Sequence, residues 1–220
     1  MKKFVVVAGN IGVGKSSLVQ LLGEQLGWQP FYEAVAENPY LPDFYRNMQT
    51  WSFDSQIFFL ANRLRTHRQL LDHLTSVVQD RSVYEDAEIF ARNLHERGHL
   101  GGRDYQTYRQ LYEVLTELLP PPDLVIYLRA SVGTLQASIA RRGRDYERRI
   151  APDYLTQLND LYERWIDSFV FCQVLAVPAD DLDFVTHRVH LDLIVRKVLD
   201  KLQGKEEVDF REDEVRRTDN

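Results

Sequence analysis

The segment Gly9-Asn10-Ile11-Gly12-Val13-Gly14-Lys15-Ser16 constrains this chain more than any other stretch of it. Glycine, lysine and serine stand at the spacing of a phosphate-binding loop. The segment leaves an apolar run, Phe4 to Ala8, and enters a stretch in which Leu18, Leu21, Leu22 and Leu26 share one helical stripe. A strand turning into a helix through glycines aims backbone N–H groups and a helix N-terminus at one anion. An ordinary glycine-rich turn is the plain alternative, and motif and context together set it aside. In such a loop Lys15 neutralises charge on the β and γ phosphates and the Ser16 hydroxyl ligates Mg²⁺. ATP with Mg²⁺ is therefore the expected occupant, cradled by residues from Gly9 to Ser16 together with Ser17. The loop alone does not separate kinases from switches or ATPases.

Beyond the loop, short apolar runs alternate with helical periodicity, which reads as βαβ units around a parallel sheet. Five strands are expected, at Phe4 to Ala8, Gln29 to Tyr32, Val77 to Gln79, Leu124 to Leu128 and Val174 to Val177. Ile57, Leu60, Ala61, Leu64, Leu71 and Leu74 mark one further helix, and Tyr105, Tyr108, Leu111, Tyr112, Leu115 and Leu119 another, stopped by Pro120 to Pro122. The 220 residues fit one domain, placed at 1–202, with 203–220 as a charged, flexible tail that has almost nothing to bury.

Composition removes several classes of function. A formal net charge of −6 argues against nucleic acid as a general partner, which would leave a basic surface. The lone Cys172, set among apolar neighbours, excludes an intrachain disulfide and suits a reducing cytoplasm. Phe4 to Gly9 is too short for a signal-peptide core or a membrane span, so a soluble, cytoplasmic protein is expected.

A kinase must also hold an acceptor and take its proton. Glu33, after the second strand, and Asp80, after the third, stand where a carboxylate serves as base or holds the Mg²⁺ shell. Taken singly, each reads first as a helix cap or a surface charge; beside a phosphate loop the pair points to chemistry. Arg141, Arg142 and Arg144 cluster in a glycine-broken segment between two helical patterns, as an arginine-rich lid over a transferring phosphate requires.

These residues resemble the deoxynucleoside kinase family, especially its bacterial deoxyadenosine and deoxyguanosine kinases, over nearly the whole chain except the tail. The match runs through the loop to Ser17, then Tyr32 to Leu41, Trp51 to Gln56, Gln79 to Asp86, Asp123 to Arg129, and the arginine segment ending at Glu147. The resemblance implies a P-loop kinase fold, an α/β architecture with a five-stranded parallel sheet flanked by helices. It implies Glu33 as general base on the 5′-hydroxyl, Asp80 organising Mg²⁺, and Arg81 with Arg142 and Arg144 on the transferring phosphate. It places Tyr45 and Glu147 at the 3′-hydroxyl and Gln56 on the base edge, with Arg63 and Asp86 paired nearby. It further implies a purine deoxynucleoside as substrate (deoxyadenosine first, deoxyguanosine second, deoxycytidine third), a salvage role, a homodimer, and inhibition by an end-product triphosphate. Ala34 stands where many relatives carry proline, and Ser138 where animal relatives place a first lid arginine.

Three rival readings remain in view. Thymidylate kinase shares the loop, an Asp-Arg pair and an arginine lid, but needs a basic grip on an acceptor monophosphate, whereas Glu33 and Gln56 suit an uncharged nucleoside. A catalytically silent relative is opposed by retention of Lys15, Ser16, Glu33, Asp80, Arg81 and Arg144. His95-Glu96-Arg97-Gly98-His99 formally matches a zinc-protease motif, but Gly98, Gly101 and Gly102 end the helix it needs.

Overall fold

The computed structural model describes residues 1–32, 38–144, 147, 150–205, 208–211 and 214–215. Its strands are β1 (Phe4–Gly9), β2 (Gln29–Phe31), β3 (Val77–Asp80), β4 (Leu124–Arg129) and β5 (Gln173–Pro178). They form one sheet in the order β2-β3-β1-β4-β5, parallel at every pairing. All five expected strands are there. Their ends differ by a residue or so because the ladder, not the apolar run, sets them: Asp80 pairs with Val7 and Gln173 with Leu124, while Tyr32 falls outside.

The helices are α1 (Lys15–Leu26), α2 (Leu41–Arg46), α3 (Met48–Asp72), α4 (Val83–Glu85), α5 (Arg92–Glu96), α6 (Gly102–Glu117), α7 (Val132–Arg142), α8 (Pro152–Ser168) and α9 (Arg188–Leu202). A π-helical turn, Asp86–Ala91, joins α4 to α5. Parallel strands need crossovers, and the crossovers cover both faces of the sheet. On β1, Val5 and Val7 enter a core with Leu18, Leu22, Leu135, Ile139, Ile194 and Val198, so α1, α7 and α9 lie on that face. Val6 and Ala8 point the other way, into a core with Leu60, Tyr108, Tyr112, Leu158 and Tyr162 from α3, α6 and α8. Period-two alternation along one strand thus divides the molecule into two hydrophobic layers.

Three expectations are corrected. Helix α3 begins at Met48, where the Asn47 side chain accepts the Thr50 N–H at 3.2 Å, and ends at Asp72, leaving Leu74 beyond it and exposed. Helix α6 ends at Glu117, short of the marked Leu119, and on it Tyr108 and Tyr112 are buried while Leu111 faces outward. The tail does have something to bury: Val215 is buried, Val208 and Phe210 pack against the first core, and Glu214 pairs with Lys197 at 2.7 Å. The histidine motif is broken as the glycines require. Helix α5 stops at Glu96, Gly98 has φ of 73°, and His95 stacks on Tyr105 at 4.2 Å between ring centroids. Cys172 packs against the second core, and burial pushes its thiol up to about 12, away from a nucleophile's range.

Candidate active site

The phosphate loop leaves β1 at the carboxyl edge of the sheet, where parallel α/β folds bind ligands. Gly9 (φ 144°) and Gly12 (φ 87°) both lie in backbone territory closed to side chains. A Cβ on Gly9 would stand 2.7 Å from the Leu128 carbonyl oxygen, and one on Gly12 2.9 Å from that of Leu135. Asn10 is tied down as well. Its amide donates to the Leu155 carbonyl at 2.9 Å and to Asn159 Oδ1 at 2.7 Å, and its Oδ1 accepts the Ile11 N–H. Lys15, only 8% exposed, donates to the carbonyls of Gly9 and Asn10 at 2.9 Å each. These two carbonyls hold its ammonium against the loop.

Opposite the loop, Ser16 Oγ donates to Asp80 Oδ2, while buried Asp80 Oδ1 has no hydrogen-bond partner among the described residues. Asp80 is thus the acid at the end of β3 that its sequence position suggests. Arg81 follows at φ of 66°, the one positive value on a non-glycine among the described residues. A bulky residue is rare there, and such strain is concentrated at working sites. The twist carries its guanidinium over the Phe90 ring, 4.1 Å from the centroid, while its N–H donates to the Val7 carbonyl at 3.0 Å.

A cavity of about 330 Å³ opens from this corner. Lys15, Ser16, Asp80 and Arg81 line it beside the loop, Gln56 and Asp86 line it as well, and Phe44, Phe59, Phe90 and Tyr154 supply apolar sides. Tyr45 and Glu147 line it too. Tyr32, the residue before Glu33, also lines it, but Glu33 lies outside the described residues. Arg63 is absent from the wall. It sits behind Asp86, with Nε 3.0 Å from Oδ2, and its other arm donates to the Asp80 and Arg81 carbonyls at 3.1 and 3.2 Å. Arg63 thus links the cavity-lining Asp86 to the strained Asp80-Arg81 corner.

A second, wider space of about 850 Å³ lies across the loop, lined by Gly12 to Ser17, Ser138, Arg141, Asp180, Asp183, Phe184 and Thr186. Arg142 and Arg144 line both spaces. Both reach Glu147, Arg142 at 2.7 Å and Arg144 at 3.4 Å. A group passing from one space to the other has these guanidiniums on its path.

Sequence reasoning passes over Phe44, Phe59, Phe90 and Tyr154, which supply shape, and a buried cluster at the base of the loop. Glu85, fully buried in α4, accepts the Gly9 N–H at 3.2 Å, the Ser82 N–H at 2.9 Å and the Tyr162 hydroxyl at 2.8 Å. Burial pushes its carboxyl above the usual range, against the pull of Arg81, Lys15 and the bonds from Tyr162 and Ser82. Phe90 had one available signal, its place four residues after Asp86.

The family model described as deoxynucleoside kinase matches residues 5–203. The chain belongs to the deoxynucleoside kinase family. Among its relatives, it is 37% identical to the deoxyadenosine/deoxycytidine kinase of Bacillus subtilis over 88% of this chain and 90% of that one. To the deoxyguanosine kinase of the same organism it is 34% identical over 89% and 95% of the two chains. A deoxyadenosine kinase of M. mycoides solved with bound dATP superposes with a TM-score of 0.80 at 31% identity, covering 90% and 99% of the two chains. This kinase is therefore an enzyme that phosphorylates a deoxynucleoside, on a five-stranded parallel P-loop fold. None of the helices among the described residues is long and apolar enough to cross a membrane.

Proposed function

We propose that this kinase transfers the γ-phosphoryl group of ATP to the 5′-hydroxyl of a purine deoxynucleoside, deoxyadenosine before deoxyguanosine, with deoxycytidine third, in cytoplasmic nucleoside salvage. The observation that carries the reading is one cavity lined by two chemically distinct sets of residues. Lys15, Ser16, Asp80 and Arg81 form the polar set at the phosphate loop, and the neutral Gln56 lines the same cavity together with aromatic rings. A glutamine amide both donates and accepts, as reading a base edge requires. Relatives named for deoxyadenosine/deoxycytidine and for deoxyguanosine support these three nucleosides as the candidates.

The roles follow from position. Lys15 exchanges its carbonyl acceptors for donor phosphates. Asp80 and Ser16 offer hard oxygen ligands, and the unpartnered Asp80 Oδ1 fits a Mg²⁺ shell. When bound, Mg²⁺ neutralises charge on the phosphates. Glu33 is assigned as the base that accepts the 5′-hydroxyl proton, supported by Tyr32 at the cavity wall. Arg81 holds the 5′ end, and Arg142 and Arg144 act as lid arginines on the charge that spreads during transfer. Tyr45 and Glu147 grip the 3′-hydroxyl.

A homodimer is part of the reading, supported by Leu111, Val114 and Leu118 exposed along α6 and just beyond it. A dATP-bound relative supports end-product triphosphate as the inhibitor. Steady-state kinetics with ATP, Mg²⁺ and each of the four deoxynucleosides test the substrate order. The expected result is the highest kcat/KM for deoxyadenosine; a preference for thymidine would overturn the base-pocket assignment.

A further inference from the structure

The Glu85 cluster holds more contacts than one arrangement of protons satisfies. The Tyr162 hydroxyl lies 2.8 Å from Glu85 Oε1 and also 2.8 Å from the Gly9 carbonyl oxygen. It has one proton to donate. Given to an ionised Glu85, that proton leaves two oxygens facing each other at Gly9. Given to Gly9, it leaves the Glu85 contact needing a proton on the carboxyl. Lys15 decides between them in this arrangement, because its ammonium already serves the Gly9 carbonyl at 2.9 Å and frees the tyrosine proton for Glu85. As the loop lysine, Lys15 has a second assignment on the donor phosphates.

The groups facing Glu85 come from four directions. Arg81 precedes α4, Lys15 opens α1, Tyr162 reaches in from α8, and Tyr127 of β4 stacks on Tyr162 at 5.7 Å while its hydroxyl donates to Glu163. Two of the four are cations that favour the carboxylate, and both line the cavity beside the loop. Phosphate oxygens arriving there offset the two charges that favour the carboxylate, acting on a buried group where such interactions are weakly screened.

We propose that Glu85 is a positioning residue that takes up one proton from solvent when the donor's phosphates enter the loop. As it does so, the Tyr162 hydroxyl passes its hydrogen bond from Glu85 to the Gly9 carbonyl that Lys15 gives up. The Gly9 peptide then keeps a donor on its oxygen throughout, and the loop holds its shape while its lysine moves. The inference rests on the reading of the loop as the donor site. Its consequence is that donor affinity falls as pH rises.

Calorimetric titration of ATP with Mg²⁺ into the enzyme without acceptor tests this, between about pH 6 and about pH 8.5 in buffers of different ionisation enthalpy. The expected result is a net uptake that approaches about one proton per site at its maximum, with log K for ATP falling by up to about one unit per pH unit. Glu85→Gln keeps the binding heat and loses that uptake, and its residual signal measures the nucleotide's own titration. Should Glu85→Gln fail to fold, Tyr162→Phe serves. It strands the Gly9 carbonyl when Lys15 departs, so uptake falls and ATP binds about tenfold more weakly. Infrared difference spectra add a direct readout, a protonated-carboxyl band that ATP induces in the wild type alone. Binding heat with no buffer dependence, or uptake equal to that of Glu85→Gln, overturns the proton proposal and leaves the loop assignment standing. Absence of any binding heat overturns both.

Discussion

Replacing Arg63 by methionine tests what the buried Arg63–Asp86 pair does. Both side chains are 4% exposed, with Arg63 Nε 3.0 Å from Asp86 Oδ2 and its other arm on two backbone carbonyls. Arg63→Met strands a buried carboxylate, which costs about 3 to 5 kcal/mol. It also leaves the Asp80 and Arg81 carbonyls short of a donor, at about 1 to 3 kcal/mol each. The low end of that sum, about 5 kcal/mol, already reaches the lower edge of ordinary domain stability. Adding Asp86→Ala removes the stranded charge but not the stranded carbonyls, so the double variant should regain about 3 kcal/mol. For a chain of this length that is about 6 to 12 °C in Tm, readable by thermal denaturation at one protein concentration. Kinetics on the double variant then read the base pocket. If the pair orders the base edge, purine selectivity drops by about 1 to 3 kcal/mol per lost polar contact and thymidine is admitted. Equal Tm for single and double variants would refute the electrostatic reasoning. An unchanged substrate order with only lower stability would make the pair a structural tie.

Other substitutions carry shorter arguments. Lys15→Ala should cut kcat by at least about 10² to 10³-fold with the circular dichroism spectrum unchanged, since the lost cation serves phosphate rather than packing; near-normal turnover would remove the loop assignment. Glu33→Gln should lower kcat by about 10² to 10⁴-fold at nearly constant KM, as measured with deoxyadenosine; a rise in KM alone would make Glu33 a binding residue and Asp80 the better base. Glu85 has a folded pKa raised above its unfolded value, so the folded state binds the extra proton between the two. Stability should therefore fall as pH rises through that window, a slope in denaturant midpoints that Glu85→Gln should remove.

The three central strands were legible because each is a buried parallel run, so Val5 to Ala8 and Leu124 to Leu128 announce themselves without help from partners. The phosphate loop was legible because two glycines, a lysine and a serine must fall at fixed spacing. Leu74 misled because a stripe does not say where a helix stops. Val208, Phe210 and Val215 are single apolar residues in a charged stretch, and only the groove against the first core gives them a use. Glu85 and Tyr162 meet across 77 positions, a distance no local pattern spans. Arg63 was assigned correctly to its partner Asp86, but its third and fourth contacts, to the Asp80 and Arg81 carbonyls, depend on the turn forced by Arg81.

Transfer of the terminal phosphate of labelled ATP in the presence of Mg²⁺, with deoxyadenosine, deoxyguanosine, deoxycytidine, thymidine and their 5′-monophosphates offered in parallel, bears most directly on the claim that the cavity accepts an uncharged nucleoside at its 5′-hydroxyl. Label should appear in the 5′-monophosphate of deoxyadenosine first and of deoxyguanosine next, with none passing to a monophosphate; diphosphate products alone, or no transfer to any nucleoside, would contradict it.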